Sequence, residues 1–206
     1  MSNDAPPQNR KTLWLVAAVC IAPFVASFVA YYFYQPEGRV NYGELMADKQ
    51  LPDVALKLVD GNAFSLAQLR GKWLFITVDD AACDAYCEKK LWQIRQVRKT
   101  QGKYPERIER VWLITGGGQP AERLRSEFEG TWLVNIAGSA VAGSAVAGSA
   151  ATGSVLLDAL PHAGARTHHI YLIDPLGNLV LRYPREADPS RMKKDLDRLL
   201  RVSRIG

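Results

Sequence analysis

Cysteine and histidine are scarce in this chain, and a continuous basic stripe is missing. The 206 residues include only three cysteines and three histidines, so few positions can support thiol or imidazole chemistry. Basic residues outnumber acidic ones by only 26 to 21, and the two mix in stretches such as RMKKDLDRLLR, which is typical of a solvated helix face rather than a nucleic-acid surface. The glycine-rich GGGQP at residues 116–120 lacks the lysine and hydroxyl of a phosphate loop, so nothing predicts a kinase or a hydrolase.

Charge is absent from residues 12–34, which read TLWLVAAVCIAPFVASFVAYYFY. A bilayer core needs about 20 apolar residues in a helix, so this segment is long enough to span a membrane. Arg10 and Lys11 directly precede it, which favours an N-terminus on the cytoplasmic side. A cleaved signal peptide is the alternative, but its apolar region usually covers about 7–15 residues. We therefore expect an uncleaved anchor, in which Cys20 is simply a small apolar residue.

The anchor divides the chain into four predicted parts. These are a cytoplasmic tail at residues 1–11, the transmembrane helix at 12–34, a linker with a helical turn at 35–50, and one folded domain at 51–206. The tail is not Arg-rich and amphipathic, so a mitochondrial presequence is not expected. In a bacterial host, the chain would cross the inner membrane once and hold its domain in the periplasm, where disulfides persist.

Strands and helices alternate along the predicted domain. A turn signal at residues 60–62 predicts a hairpin, and the apolar run WLFITV predicts a central strand buried on both faces. Apolar spacings of three and four predict one helix from about residue 83 to 102 and a last helix that begins at residue 189. Between them lie a strand RVWLIT, a helix PAERLRSEFEG, a strand TWLVNI and a hairpin HHIYLIDPLGNLVLRYP. The order predicts an α/β fold with a mixed sheet flanked by helices.

A five-residue repeat interrupts the domain at residues 137–155, AGSAVAGSAVAGSAATGSV. It contains no charge and no large side chain, so nothing in it can coordinate a ligand or catalyse a reaction. We predict a flexible, low-complexity and dispensable insertion in a surface loop, with an ordered β-like stack as the alternative.

Two cysteines stand four positions apart where the first buried strand meets the first long helix, in VDDAACDAYCEKK. Cys83 is predicted near the helix N-terminus, where backbone N–H groups and the helix dipole stabilise a thiolate. Asp79, Asp80 and Asp84 oppose that effect, since carboxylates favour the neutral thiol. Thiols at positions i and i+4 of a helix can form a reversible disulfide or hold a soft metal ion together, and Cys87 completes such a pair. Two small residues of the core are the alternative.

A copper site would need a further ligand, and the chain offers only His162, His168 and His169. Thiolates and imidazole form a ligand combination that copper accepts. His168 and His169 precede a predicted strand, where alternation directs only one of them at the cysteines. His162 lies in a loop, and a histidine at a strand edge is often only a surface or core residue.

The order of these features resembles the Sco/SenC family of membrane-anchored proteins. The likeness rests on the N-terminal anchor, on C-x-x-x-C after the first buried strand and on a histidine shortly before YLIDPLGN, and it covers residues 51–201 apart from the repeat. It implies a protein with a thioredoxin-like fold. Such a protein assists copper delivery or thiol maintenance for the cytochrome c oxidase subunit carrying the copper centre. Residue by residue, it implies that Cys83 and Cys87 are redox partners and copper ligands, with His169 as the third ligand.

Two other functions fit the same residues. A copper-independent thiol–disulfide oxidoreductase needs only the cysteines, with Cys83 as the attacking thiolate, although GARTHHIYL lacks the proline that usually lies beside such a site. A non-catalytic tethered module that binds respiratory subunits would tolerate replacement of both cysteines. The chain also departs from the family pattern, because Asp84 and Glu88 stand where proline usually follows each cysteine.

Overall fold

The computed structural model describes residues 10–33, 41–137 and 149–203, and the chain divides into two units at residue 40. The first unit contains helix α1 (Arg10–Phe33). The candidate membrane span is Arg10–Tyr32, and an 18-residue window within it has a mean hydropathy of 2.4. Within the described residues, α1 is the one helix long and apolar enough to cross a membrane, which confirms the predicted apolar helix near the N-terminus. The last predicted residue of that span, Tyr34, lies outside the described residues.

The second unit is an α/β domain built on one mixed sheet. Its described residues form eight strands, in the spatial order β1-β8-β7-β4-β5-β6-β2-β3. β4 pairs in parallel with β5 and β5 with β6, whereas the other pairs are antiparallel. The strands are β1 (Glu44–Gln50), β2 (Leu56–Leu58), β3 (Ala63–Phe64), β4 (Trp73–Asp80), β5 (Ile108–Thr115), β6 (Thr131–Asn135), β7 (Ile170–Ile173) and β8 (Asn178–Tyr183). The helices are α2 (Ala85–Lys99), α3 (Glu122–Glu127), α4 (Ser149–Ala159) and α5 (Pro189–Val202), with 3-10 turns at Leu66–Leu69, Pro105–Arg107 and Arg166–His168.

The sheet carries a hydrophobic core on each face. Successive residues of β4 point to opposite faces, so Phe75 belongs to the core that α2 and α5 cover, whereas Ile76 belongs to the core that α4 covers. Helices α2 and α5 contribute to the first core Cys87, Leu91, Ile94, Val97, Met192, Leu196 and Leu200, and α4 contributes to the second core Leu156 and Ala159. Burial on both faces explains why β4 and β5 read as continuous apolar runs, and it confirms the predicted mixed sheet flanked by helices.

Strand β1 forms where the sequence predicts a linker with a helical turn. It pairs with β8, with Leu45 opposite Leu181, and forms one edge of the sheet. The buried Asp195 of α5 accepts the backbone N–H groups of Tyr42 at 3.0 Å and Gly43 at 2.8 Å, so the segment before β1 is fixed to the last helix. Pairing with a strand far away in sequence therefore outweighs the local helical preference, and the compact unit begins at residue 41 rather than 51.

Helix α4 occupies the end of the segment predicted as a loop insertion. Residues 149–155 belong to this helix, which buries Leu156 and Ala159 against the second face of the sheet. The predicted loop is wrong for these residues, because the apolar side chains that follow the repeat need a helix to reach the core. Residues 138–148 lie outside the described residues, so the prediction of a dispensable insertion can extend only to residue 148.

Replacing Gly153 with alanine is expected to lower the free energy of unfolding. An added Cβ would lie 2.1 Å from Ile136 Cγ2 and 2.6 Å from the Ile136 carbonyl oxygen, so α4 would have to move away from the end of β6. Such overpacking typically costs about 1–3 kcal/mol, which exceeds the roughly 1 kcal/mol that alanine gains in helix propensity. Urea unfolding of the chain from Asn41 onward measures the difference.

The matched control is Val155→Ala on the same helix, because Val155 is 48% exposed and should change stability by no more than about 0.5 kcal/mol. A stabilised Gly153→Ala chain would contradict the packing of α4 against Ile136.

Candidate functional site

The two cysteines lie at the junction of β4 and α2, but Cys83 precedes the helix. Asp84 is the N-cap of α2, and its side chain accepts the backbone N–H of Cys87 at 2.8 Å. Asp80, the last residue of β4, accepts the backbone N–H groups of Ala82 at 2.9 Å and Cys83 at 3.1 Å. The helix therefore starts two residues later than the sequence predicts. Carboxylate oxygens, rather than a thiolate, accept the hydrogen bonds of these backbone N–H groups at the helix start.

Cys83 and Cys87 form a disulfide whose Cα atoms are 5.2 Å apart. Cys83 adopts a left-handed backbone with φ of 46°, so the two cysteines do not stand one above the other on a helix face as the sequence predicts. Both are buried, with exposures of 5% for Cys83 and 1% for Cys87. The third cysteine, Cys20, is free and lies in α1.

A cleft of about 400 Å³ opens beside the disulfide, and Cys83 lines it whereas Cys87 does not. We call it the cysteine cleft. Its lining residues come from the β4–α2 junction, from the turn before β7 and from the loop after β8, and they are Asp79, Asp80, Ala82, Cys83, Asp84, Tyr86, Thr167, His168 and Arg185. A reactant can therefore approach Cys83 first. The sequence motif located the cysteines, but it gave no sign of Tyr86, Thr167 or Arg185.

The cleft contains His168 rather than the predicted His169. His169 is 6% exposed, with its Nδ1 3.0 Å from the carbonyl oxygen of Tyr183 and its Nε2 3.1 Å from that of Ala163. Its ring lies 6.1 Å from that of Tyr171, which belongs to the core on the opposite face of the sheet from α2. The structure therefore places His168, one residue before the predicted His169, in the cleft that Cys83 lines. His162 is exposed and does not line the cleft.

A buried ion pair lies beside the cleft. Lys90 is 0% exposed, and its Nζ lies 2.6 Å from Asp79 Oδ2. Lys90 also donates to the carbonyl oxygen of Thr167. The spacing contained a signal for this burial, since Lys90 stands three residues after Cys87 and four before Ile94 on the same stripe.

Burial raises the pKa of Asp79 to about 6, although the charge and hydrogen bond of Lys90 act in the opposite direction. Burial likewise lowers the pKa of Lys90, and the nearby Asp79 partly offsets that effect. Desolvation therefore exceeds the mutual attraction in both groups. Above about pH 6 the Asp79 carboxyl group is ionised, and below it Asp79 takes up a proton.

The contribution of Asp79 to stability is expected to fall as pH rises from about 4 to 6. In this range the folded chain retains a proton that the unfolded chain, with a pKa of 3.8, has already released. The shift corresponds to about 3 kcal/mol, and above the folded pKa the contribution stays constant. Asp79→Asn should therefore become more stable relative to the wild type by about this amount between pH 4 and pH 7. Urea unfolding at the two pH values tests this, and a pH-independent difference would contradict it.

The predicted copper ligands do not come together as one set. Among the described residues, no three His, Cys, Asp or Glu side chains are grouped so that they can hold a metal ion. Cys83 and Cys87 are soft thiolate ligands only after reduction of their disulfide. His169 is engaged by two carbonyl groups, so the donor set Cys83, Cys87 and His169 does not fit this structure. His168 is the histidine that shares the cleft with Cys83.

Solved structures with similar folds include two copper-bound Sco proteins and one oxidoreductase domain. Yeast Sco1 with copper bound has a TM-score of 0.61 and 16% identity, covering 77% of this chain and 96% of its own. Bradyrhizobium japonicum ScoI with copper bound has a TM-score of 0.54 and 20% identity, covering 73% and 99%. The thioredoxin domain of a thiol–disulfide oxidoreductase from Bacteroides vulgatus has a TM-score of 0.52 and 18% identity, covering 77% and 97%. At these identities the likeness is one of fold, and it confirms the predicted Sco-like, thioredoxin-like architecture.

Among curated proteins, no sequence matches the chain. A family model described as "Transmembrane-like, thioredoxin-like, C-terminal domain" matches residues 73–159 and 151–203, which together include β4 to β8, α2 to α5 and both cysteines of the disulfide. The match covers more than half of the chain. The chain therefore belongs to the family of transmembrane-like, thioredoxin-like C-terminal domains.

Proposed function

We propose that this protein is a membrane-anchored thiol–disulfide exchange protein in which Cys83 and Cys87 are the redox couple. The observation that carries the proposal is their disulfide, with Cys83 on the wall of an open cleft and Cys87 behind it. The similarity in fold to a thiol–disulfide oxidoreductase domain supports it. The Sco/SenC resemblance implies either copper delivery or thiol maintenance, and this function corresponds to thiol maintenance.

The reaction needs only the two cysteines and a disulfide on a client. With Cys83 and Cys87 reduced, the Cys83 thiolate attacks one client sulfur, forms a mixed disulfide and releases the other client sulfur as a thiolate, which takes up a proton. Cys87 then loses its proton and attacks Cys83, which releases the second client thiol and forms the Cys83–Cys87 disulfide. Two electrons and two protons pass to the client. A dithiol reductant must then return the disulfide to the reduced state.

The anchor and the fold support a proposed location and a proposed client. In the proposal, α1 remains attached as a single-pass anchor in a bacterial inner membrane, and the domain lies in the periplasm. The client is the pair of copper-binding cysteines in a cytochrome c oxidase subunit, which must be reduced before they bind copper. The Sco-like fold supports this choice of client.

The proposed exchange is tested with the reduced chain and a model protein disulfide. We expect one client disulfide reduced for each chain oxidised, with a matching appearance of the Cys83–Cys87 disulfide by mass spectrometry. Cys83→Ala should abolish the reaction, whereas Cys20→Ala is the matched control and should leave it unchanged because Cys20 lies in the anchor. A Cys83→Ala chain that still reduces the client would exclude Cys83 as the attacking residue.

Copper transfer is the second candidate, and the shared placement of Cys83 and His168 in one cleft favours it. Copper would be the cargo, held by the two reduced thiols and the imidazole of His168. Competition between the reduced chain and a Cu(I) chelator tests this. We expect one ion per chain, lost in Cys83→Ser, with the affinity lower in His168→Ala and unchanged in His169→Ala. Binding lost only in His169→Ala would restore the ligand that the family resemblance implies.

A further inference from the structure

Tyr86 lies between the two cysteines on the first turn of α2, and its hydroxyl contacts both sides of the cysteine cleft. The hydroxyl donates to the carbonyl oxygen of His168 at 3.2 Å and accepts the backbone N–H of Glu186 at 3.2 Å. His168 belongs to the turn before β7, which forms the first wall of the cleft. Glu186 belongs to the loop between β8 and α5, which forms the second wall. A single oxygen atom therefore joins the two walls of the cleft to the cysteine helix.

The ring of Tyr86 contacts the same two walls and Lys90 of α2. It packs edge to face with the ring of His168, with centroids 6.5 Å apart. The guanidinium of Arg185 lies 5.4 Å and the Lys90 amine 5.3 Å from its centroid, within the range of cation–π attraction. These contacts fix the ring, so its hydroxyl is directed at the two backbone groups.

Each wall has further contacts with α2. Lys90 donates to the carbonyl oxygen of Thr167 in the first wall. In the second wall, Lys89 pairs with Glu186, and Gln93 Nε2 donates to the carbonyl oxygen of Ala187 at 2.6 Å. Glu186 has a φ of 58°, a conformation that persists only where neighbouring contacts impose it. Of these contacts, only those of Tyr86 join both walls.

We propose that Tyr86 is a positioning residue that sets the width of the cysteine cleft and thereby restricts the reactant of Cys83 to an extended polypeptide segment that carries the disulfide. The inference rests on the proposed exchange function. At about 400 Å³ the cleft has the size of a ligand pocket, and Cys83 is only 5% exposed within it. A disulfide on the surface of a rigid, folded domain cannot reach that sulfur, whereas a flexible segment can enter between the walls. Fixed walls bind such a segment better than mobile ones, because less conformational entropy is lost on binding.

The test compares two reactants of the full chain in detergent, in a Cys20→Ser background. One is a synthetic peptide with an internal disulfide, and the other is 2-hydroxyethyl disulfide, which is too small to contact both walls. Tyr86→Phe removes both hydrogen bonds of the hydroxyl while keeping the ring. We expect KM for the peptide to rise roughly fivefold with kcat unchanged, and the rate with the small disulfide to stay the same. Tyr104→Phe is the matched control, since Tyr104 is 39% exposed and outside the cleft, and neither reaction should change.

An equal change with both reactants, or no change with either, would overturn the role of Tyr86.

A second measurement keeps this role testable if the wild type reduces neither disulfide, an outcome that would overturn the proposed function. Reduced Cys83 is alkylated with N-ethylmaleimide and with a polymer-linked maleimide, which share one reactive group and differ in size. We expect the wild type to react much more slowly with the polymer-linked reagent than with the small one. In Tyr86→Phe, the ratio of the two rate constants should become roughly fivefold smaller. An unchanged ratio would overturn the cleft-width proposal independently of any exchange activity.

Discussion

Cys87→Ser is expected to stop turnover completely and to trap the chain as a mixed disulfide with its client. Cys83 lines the cysteine cleft, so its thiolate can still attack a client disulfide. Serine cannot attack the resulting Cys83–client bond, and the adduct therefore persists. Non-reducing electrophoresis followed by mass spectrometry identifies the adduct and the cysteine that forms it.

The matched control is Cys83→Ser, which should also stop turnover but should form little adduct. Cys87 is 1% exposed and does not line the cleft, so its sulfur is shielded from a client. Equal trapping by both variants would contradict the assignment of separate roles to the two cysteines. Trapping by Cys83→Ser alone would reverse those roles.

Lys90→Met is expected to lower the free energy of unfolding by roughly 3–5 kcal/mol at pH 8, because it leaves the Asp79 carboxylate buried without its cation. The contact of Lys90 with Thr167 is lost as well, so one wall of the cleft also loses a support. The loss should be smaller at pH 5, where Asp79 is already largely protonated, given its pKa of about 6. Urea unfolding of the chain from Asn41 onward at both pH values measures the effect.

The double variant Asp79→Leu/Lys90→Met is the control for the ion pair. Replacing both charges by apolar side chains removes the unpaired carboxylate, so most of the lost stability should return. A double variant no more stable than Lys90→Met would show that packing, rather than the unpaired charge, causes the loss. Lys89→Met, at a side chain that is 49% exposed, should change stability by no more than about 1 kcal/mol.

Local patterns were sufficient to predict most of the fold. The apolar runs at β4 and β5 are long enough for strands buried on both faces, and the structure places them side by side in the middle of the sheet. The last helix could be predicted to its first residue, because Asp188 accepts the N–H of Ser190 at 2.8 Å as an N-cap and Pro189 takes the first helical position.

Long-range contacts determine what the sequence pattern missed. β1 exists because it pairs with β8, more than 130 residues later in the chain, as in the ion pair of Glu44 with Arg182. α4 is fixed by Leu156 and by the close approach of Gly153 to Ile136, neither of which is visible in a repeat of small residues. Both elements have weak local signals, so only the completed sheet reveals them.

In the candidate site, too, the local sequence predicts some features and long-range contacts determine the others. The C-x-x-x-C motif located both cysteines, because its position after a buried strand is a local feature. The choice between His168 and His169 depends on the path of the backbone, which makes a 3-10 turn at Arg166–His168 before β7 begins at Ile170. The partnership of Asp79 with Lys90 depends on the packing of α2 against β4.

The central claim is that Cys83 and Cys87 are a reversible redox couple, and an equilibrium redox titration tests it most directly. The chain is equilibrated with glutathione buffers of graded potential, and free thiols are then alkylated and counted by mass spectrometry. The account predicts that the two cysteines titrate together as a two-electron couple, with about 30 mV for each tenfold change in equilibrium ratio and a midpoint above about −300 mV. A disulfide that stays oxidised until the domain unfolds would contradict the account, since it would then only be a structural crosslink.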